Sequence, residues 1–116
     1  RRVVVTGLGM LSPIGNDVPT SWAAALAGKS GAGLIETFDT SEYPVRIAAM
    51  VKNFDPSAIM DRKELRRIDP FIQYGMAAGI EAIADAGLPD HPEDGHRYGV
   101  SVGSGIGGIN TIEETH

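Results

Sequence analysis

The pattern with the most chemistry attached to it is Gly103-x-Gly105-x-x-Gly108. It follows a β-branched run and precedes a helix-like segment. In that setting glycines let a backbone approach a pyrophosphate at a helix N-terminus. A dinucleotide-binding loop also needs an acidic ribose ligand about twenty residues further on, past residue 116, and it usually follows the first strand of its sheet. The other reading is a glycine-lined strand-to-helix turn at a packed interface. Gly7-Leu8-Gly9 is a second glycine pair after a strand-like run. Ser12-Pro13 stands where its third glycine and helix start would fall, so no phosphate cradle is expected there.

The second candidate is the segment Asp61–Arg67, with four positive and two negative charges in a chain of net charge −5. Lys63, Arg66 and Arg67 can share one side of a helical turn, and such a patch steers a strongly acidic partner. Without a partner, the same segment is a solvated loop with local ion pairs, each worth well under about 1 kcal/mol. His91 and His96 are five residues apart with Pro92 between them, which is not the four-residue helical spacing of paired metal ligands. No metal site is expected. The chain has no cysteine, which excludes disulfides, cysteine-based zinc sites and a cysteine nucleophile within it. No Ser-His-Asp arrangement can be inferred.

The 116 residues fit one small domain, and 42% of them are apolar and 22% charged, as in a folded chain. The acidic balance argues against a nucleic-acid partner. No apolar run reaches 18 residues, so no membrane span is expected. Arg1-Arg2 leads directly into Val3-Val4-Val5, too short for a signal-peptide core, and a soluble, intracellular protein is the default.

The elements that must position these residues can be read from the apolar pattern. Val3–Thr6 and Tyr98–Ser104 read as buried strands. A helix is expected from a cap at Asn16 or Asp17, with Pro19 in its first turn, to a stop at Gly28. Lys29–Thr40 reads as connection. Val45, Ile47, Ala49 and Val51 alternate as in a strand or hairpin arm. Asp55 caps a short helical turn. The strongest helix runs from Pro70 to Ala86 behind Asp69, with Ile72, Met76, Ile80 and Ile83 on one face. Gly75 and Gly79 inside it imply close approach of another backbone, since each costs roughly 1 kcal/mol against alanine. Gly87 and Pro89 end that helix, and residues 109–116 begin another, with Asn110 or Thr111 near its cap. Strands alternating with helices imply parallel pairing in an α/β layer. Two long strands are too few for a two-sided sheet, so a piece of a larger α/β protein is expected.

Taken together, several strings resemble one family. RRVVVTGLGMLSPIG at Arg1–Gly15 is similar to the opening of the beta-ketoacyl-acyl-carrier-protein synthases. Phe38-Asp39-Thr40-Ser41, Phe71-Ile72-Gln73-Tyr74-Gly75 and Gly103-Ser104-Gly105-Ile106-Gly107-Gly108 point to its type II branch. The resemblance implies a thiolase-like α/β/α/β/α fold, of which residues 1–116 are an incomplete N-terminal portion. It implies a fatty acid biosynthetic enzyme that extends an acyl chain by two carbons through decarboxylative condensation, with no separate cofactor. The catalytic cysteine and two histidines of the family lie downstream of the matched region. No catalytic residue is therefore assigned here, and the isolated chain is expected to be inactive.

Two features carry over from the family. Ile106 matches its acyl-pocket position, and Lys63, Arg66 and Arg67 match positions that dock acyl- and malonyl-loaded acyl-carrier protein. The resemblance also implies a homodimer in the full-length parent, and a cytoplasmic location in bacteria or an organellar matrix or stroma in eukaryotes. Two alternatives remain: a ketosynthase-like subunit that lacks the nucleophile and sets chain length, and a nucleotide-binding α/β module built on Gly103–Gly108.

Overall fold

Asp17 starts the first helix. Its carboxylate accepts the Thr20 N–H at 2.6 Å, satisfying one of the amides that a helix start leaves without a partner. Helix α1 then runs Val18–Leu26 with Pro19 in its first turn. It stops where Gly28 takes a left-handed φ of +63°, a conformation that glycine adopts without steric cost. The Thr20 side chain and then its N–H hold the Asp17 carboxyl below its ordinary value. A depressed carboxylate pKa gives stability that is present above the unfolded value, about 3.9, and is lost as pH falls through the folded one. Asp17→Ala should therefore lower α1 helicity at pH 7. The difference should shrink as pH falls below the unfolded value towards the depressed folded one, and circular dichroism of the two proteins across an acid titration reads this.

The computed structural model describes all 116 residues, in two units. One unit is Met10–Phe54. It holds α1 and a two-stranded antiparallel sheet of β1 (Ala32–Leu34) and β2 (Ile47–Ala49). The register pairs Ala32 with Ala49 and Leu34 with Ile47. The alternation at Val45–Val51 correctly marked β2. Its partner β1 lies inside the stretch expected to be plain connection, because Ala-Gly-Leu carries little strand propensity of its own. The buried centre of this unit is small: Ala24 is 5% exposed and Ser21 2%. The Ser21 hydroxyl donates to the Gly15 carbonyl at 3.1 Å and meets the Ser12 hydroxyl at 2.8 Å, closing the Ser12–Gly15 bridge over the start of α1.

The other unit joins Arg1–Gly9 to Asp55–His116. Asp55 caps a single 3-10 turn, Pro56–Ala58, by accepting the Ser57 N–H. Helix α2 (Arg62–Leu65) follows behind Asp61, and α3 (Pro70–Asp85) behind Asp69. Gly87, at φ +64°, ends α3 as expected. Helix α4 spans Ile109–Thr115, with Gly108 at the cap and Asn110 and Thr111 in the first turn beside it.

Four expectations are corrected in this unit. Val3–Thr6 and Tyr98–Ser104 are not strands, and Val3 and Val100 are 93% and 89% exposed. β-branched residues favour extended backbone, but a strand exists only where a second chain segment completes its ladder. For the same reason no parallel pair forms, and the only sheet in the chain is the antiparallel one of the Met10–Phe54 unit. Gly75 and Gly79 meet no backbone either. A Cβ at Gly75 would rest 3.7 Å from Val102, and one at Gly79 would meet open space. The close approach is instead at Gly7 and Gly9, whose missing side chains make room for the α3 backbone at Ala82 and Ala86 and at Ala78. The Leu8 N–H between them donates to the Asp85 carboxylate at 2.8 Å.

Candidate functional site

The basic turn is held by its own acidic residue. The Asp61 carboxylate accepts the N–H groups of Lys63 and Glu64 at 2.8 and 3.0 Å, so α2 begins there. After Leu65 the chain stays in a helical turn, with the Arg67 N–H on the Glu64 carbonyl at 2.9 Å. At about 100° per residue, Lys63, Arg66 and Arg67 keep to one side of it, and all three are exposed. The fourth cation, Arg62, acts on Asp55. That carboxyl is held below its ordinary value first by the Ser57 N–H, then by the Ser57 hydroxyl, with the Arg62 charge adding to them. The turn is tied to α3 by Gln73, whose side-chain amide donates to the carbonyls of Leu65 at 3.3 Å and Ile68 at 3.2 Å.

The glycine-rich turn meets the start of α3. Gly107 has a φ of +75° and lies against the Phe71 ring, whose atoms would be 3.1–3.5 Å from any Cβ placed there. The Asp69 carboxylate fills the space a Gly108 side chain would need. Both its oxygens accept from the Thr111 hydroxyl, at 2.8 and 2.9 Å. A pyrophosphate seated at this helix start would meet that carboxylate, so the arrangement opposes the dinucleotide reading. Ile106 is 74% exposed. It does not line the open apolar groove of about 440 Å³ that Ile72, Met76, Ile80 and Ile83 form with Val100 and Val102.

The structure thus puts the three basic residues on one turn and Ile106 on another, and α3 touches both turns through Gln73, Asp69 and Phe71. None of those three links has a signature in the sequence. Gln73 and Phe71 lie in the family-like string Phe71–Gly75, but nothing in their spacing says what they touch. Asp69 occupies the N-cap position of α3, yet its side chain makes no cap bond to that helix.

The whole chain, residues 1–116, matches the family described as Beta-ketoacyl synthase, N-terminal domain, and it belongs to that family. Its architecture is the mixed α/β one of a thiolase-like ketosynthase N-terminal domain. Over all 116 residues it is 55% identical to a 3-oxoacyl-[acyl-carrier-protein] synthase 2 of Vibrio cholerae serotype O1 (strain ATCC 39315 / El Tor Inaba N16961). It is 47% identical to the protein of that name from Coxiella burnetii (strain RSA 493 / Nine Mile phase I). The chain spans 28% of the length of each. Among solved structures it is similar to the ishigamide ketosynthase/chain length factor, at a TM-score of 0.69 and 39% identity, over 78% of this chain and 22% of that one.

Proposed function

We propose that these residues are the N-terminal portion of a 3-oxoacyl-[acyl-carrier-protein] synthase, an enzyme that lengthens a fatty acyl chain by condensing it with malonyl-loaded carrier protein. The observation that carries the reading is 55% identity across all 116 residues to the matching 28% of a protein named for that activity. Within the chain, Lys63, Arg66 and Arg67 form the surface that receives the acidic carrier protein, and Ile106 lines the acyl pocket. The full-length parent is a cytoplasmic homodimer. The exposed apolar face of α3, together with Val3–Val5, Val100 and Val102, supports a parent in which further chain completes the sheet. The family's nucleophilic cysteine has no counterpart among these residues, so the reacting groups are assigned to the parent's remainder and this portion supplies docking and pocket wall.

A second reading, a subunit that lacks the nucleophile and sets chain length, is favoured by the similarity to a protein titled a ketosynthase/chain length factor. Incubating the full-length parent with acyl- and malonyl-carrier protein separates the two. The synthase releases carbon dioxide and 3-oxoacyl product, whereas the subunit reading gives no condensation without a second protein. The 116 residues alone should give neither product, and robust turnover by them would overturn the assignment of roles.

A further inference from the structure

We propose that Asp69 and Thr111 form a clasp that positions the Gly103–Gly108 turn, and so helps to set which acyl chains the parent enzyme accepts. The inference rests on the reading of Ile106 as a pocket residue. The starting point is that Asp69 sits at a capping position and does not use its side chain to cap. The first amides of α3, those of Ile72 and Gln73, bond to the Asp69 carbonyl at 3.0 and 3.3 Å. The carboxylate reaches across 42 residues of sequence to the Thr111 hydroxyl. A hydrogen bond to a charged acceptor is among the stronger polar contacts, and here it joins two elements that share no sequence proximity.

The clasp acts on the turn because of where its anchors fall. Phe71 packs on Gly107, Asp69 packs on Gly108, and Thr111 lies in the first turn of α4. These contacts fall at Gly107, Gly108 and Thr111, all within five residues C-terminal to Ile106, which is itself mostly exposed. Its place is therefore inherited from the backbone that follows. Gly107 adds direction, since its positive φ excludes ordinary side chains and fixes how the chain leaves Ile106. Asp69 and Thr111 are positioning residues in this scheme, because neither needs to touch the acyl chain.

The test uses the full-length parent and compares kcat/KM for hexanoyl- and hexadecanoyl-carrier protein. Thr111→Val keeps the shape and removes the donor. It should change the ratio of the two values by about fivefold or more, and Thr111→Ser, which restores the hydroxyl, should return it to within about twofold. Equal loss on both substrates with a lower unfolding midpoint, or an unchanged ratio, would overturn the proposal by reducing the clasp to a structural staple. Should Thr111→Val fail to fold, Asp69→Glu, which shifts the carboxylate by one methylene, gives the same reading, and an unchanged ratio overturns it equally. Ile106→Phe in the same assay keeps the two ideas apart. A changed ratio there with a flat Thr111→Val refutes only the clasp. A flat Ile106→Phe with a changed Thr111→Val refutes only the pocket role of Ile106.

Discussion

Reversing Lys63, Arg66 and Arg67 together to glutamate should weaken carrier-protein binding by the full-length parent about 100-fold or more at low salt. Each exposed charge pair is worth only about 0.2–1 kcal/mol, but reversal replaces three attractions with three repulsions, and about 2.7 kcal/mol already gives two decades. The loss should fall mostly in the association rate, where electrostatic steering acts. It should shrink as salt rises and screening sets in over about 10 Å or less. Arg62→Glu, a reversal outside the assigned docking set, is the comparison and should cost clearly less than the triple reversal. Surface plasmon resonance at several ionic strengths measures all of this, and unchanged dissociation constants at low salt would remove the docking role.

Gly9→Ala is the second substitution with a large expected effect. A Cβ at that position would run into the Ala78 carbonyl and the Ala82 amide, both backbone atoms of α3. Backbone inside a helix cannot rotate away as a side-chain tip can, so either α3 shifts or Arg1–Gly9 lifts off it. Overpacking of this kind costs about 3 kcal/mol or more. Gly79→Ala makes the contrast. Nothing lies within 4 Å of a Cβ there, and alanine gains about 1 kcal/mol of helix propensity over glycine. Urea denaturation of the 116-residue chain, followed by its helical signal, should show opposite shifts for the two. In the full-length parent, a penalty at Gly79 would report that further chain packs over this part of α3.

The helices were legible because their signals are local. Asp17, Pro19 and Gly28 bracket α1, and Pro70, Gly87 and the apolar spacing bracket α3, all within a few turns of one another. The strands were not, because β-branching at Val3–Thr6 and Val100–Val102 reports a preference for extended backbone and says nothing about which segment would pair with it. The one sheet that forms uses Ala32-Gly33-Leu34, whose composition gives no hint of a strand. The candidate site divides the same way. Lys63, Arg66 and Arg67 were found from their spacing, since one helical turn gathers them. Ile106 was assigned by resemblance alone. The Asp69–Thr111 bond joins residues 42 apart and leaves no periodic trace. Gly75 and Gly79 were misread because a helical glycine signals room for a neighbour without saying whether that neighbour is backbone, side chain or solvent.

The contact between Gly7, Gly9 and α3 also works as a ruler. Gly7 faces Ala82 and Ala86, and Gly9 faces Ala78 and Ala82. Two residues of extended chain advance about 6.6 Å and four residues of helix about 6.0 Å. The two intervals nearly coincide, so the glycines mesh with one set of rungs. Sliding the segment by a single residue would present Leu8 or Met10 to backbone that tolerates no Cβ. Deleting one residue between Thr6 and Met10 should therefore be far more disruptive than adding several before Arg1, because only the deletion changes the count between the teeth.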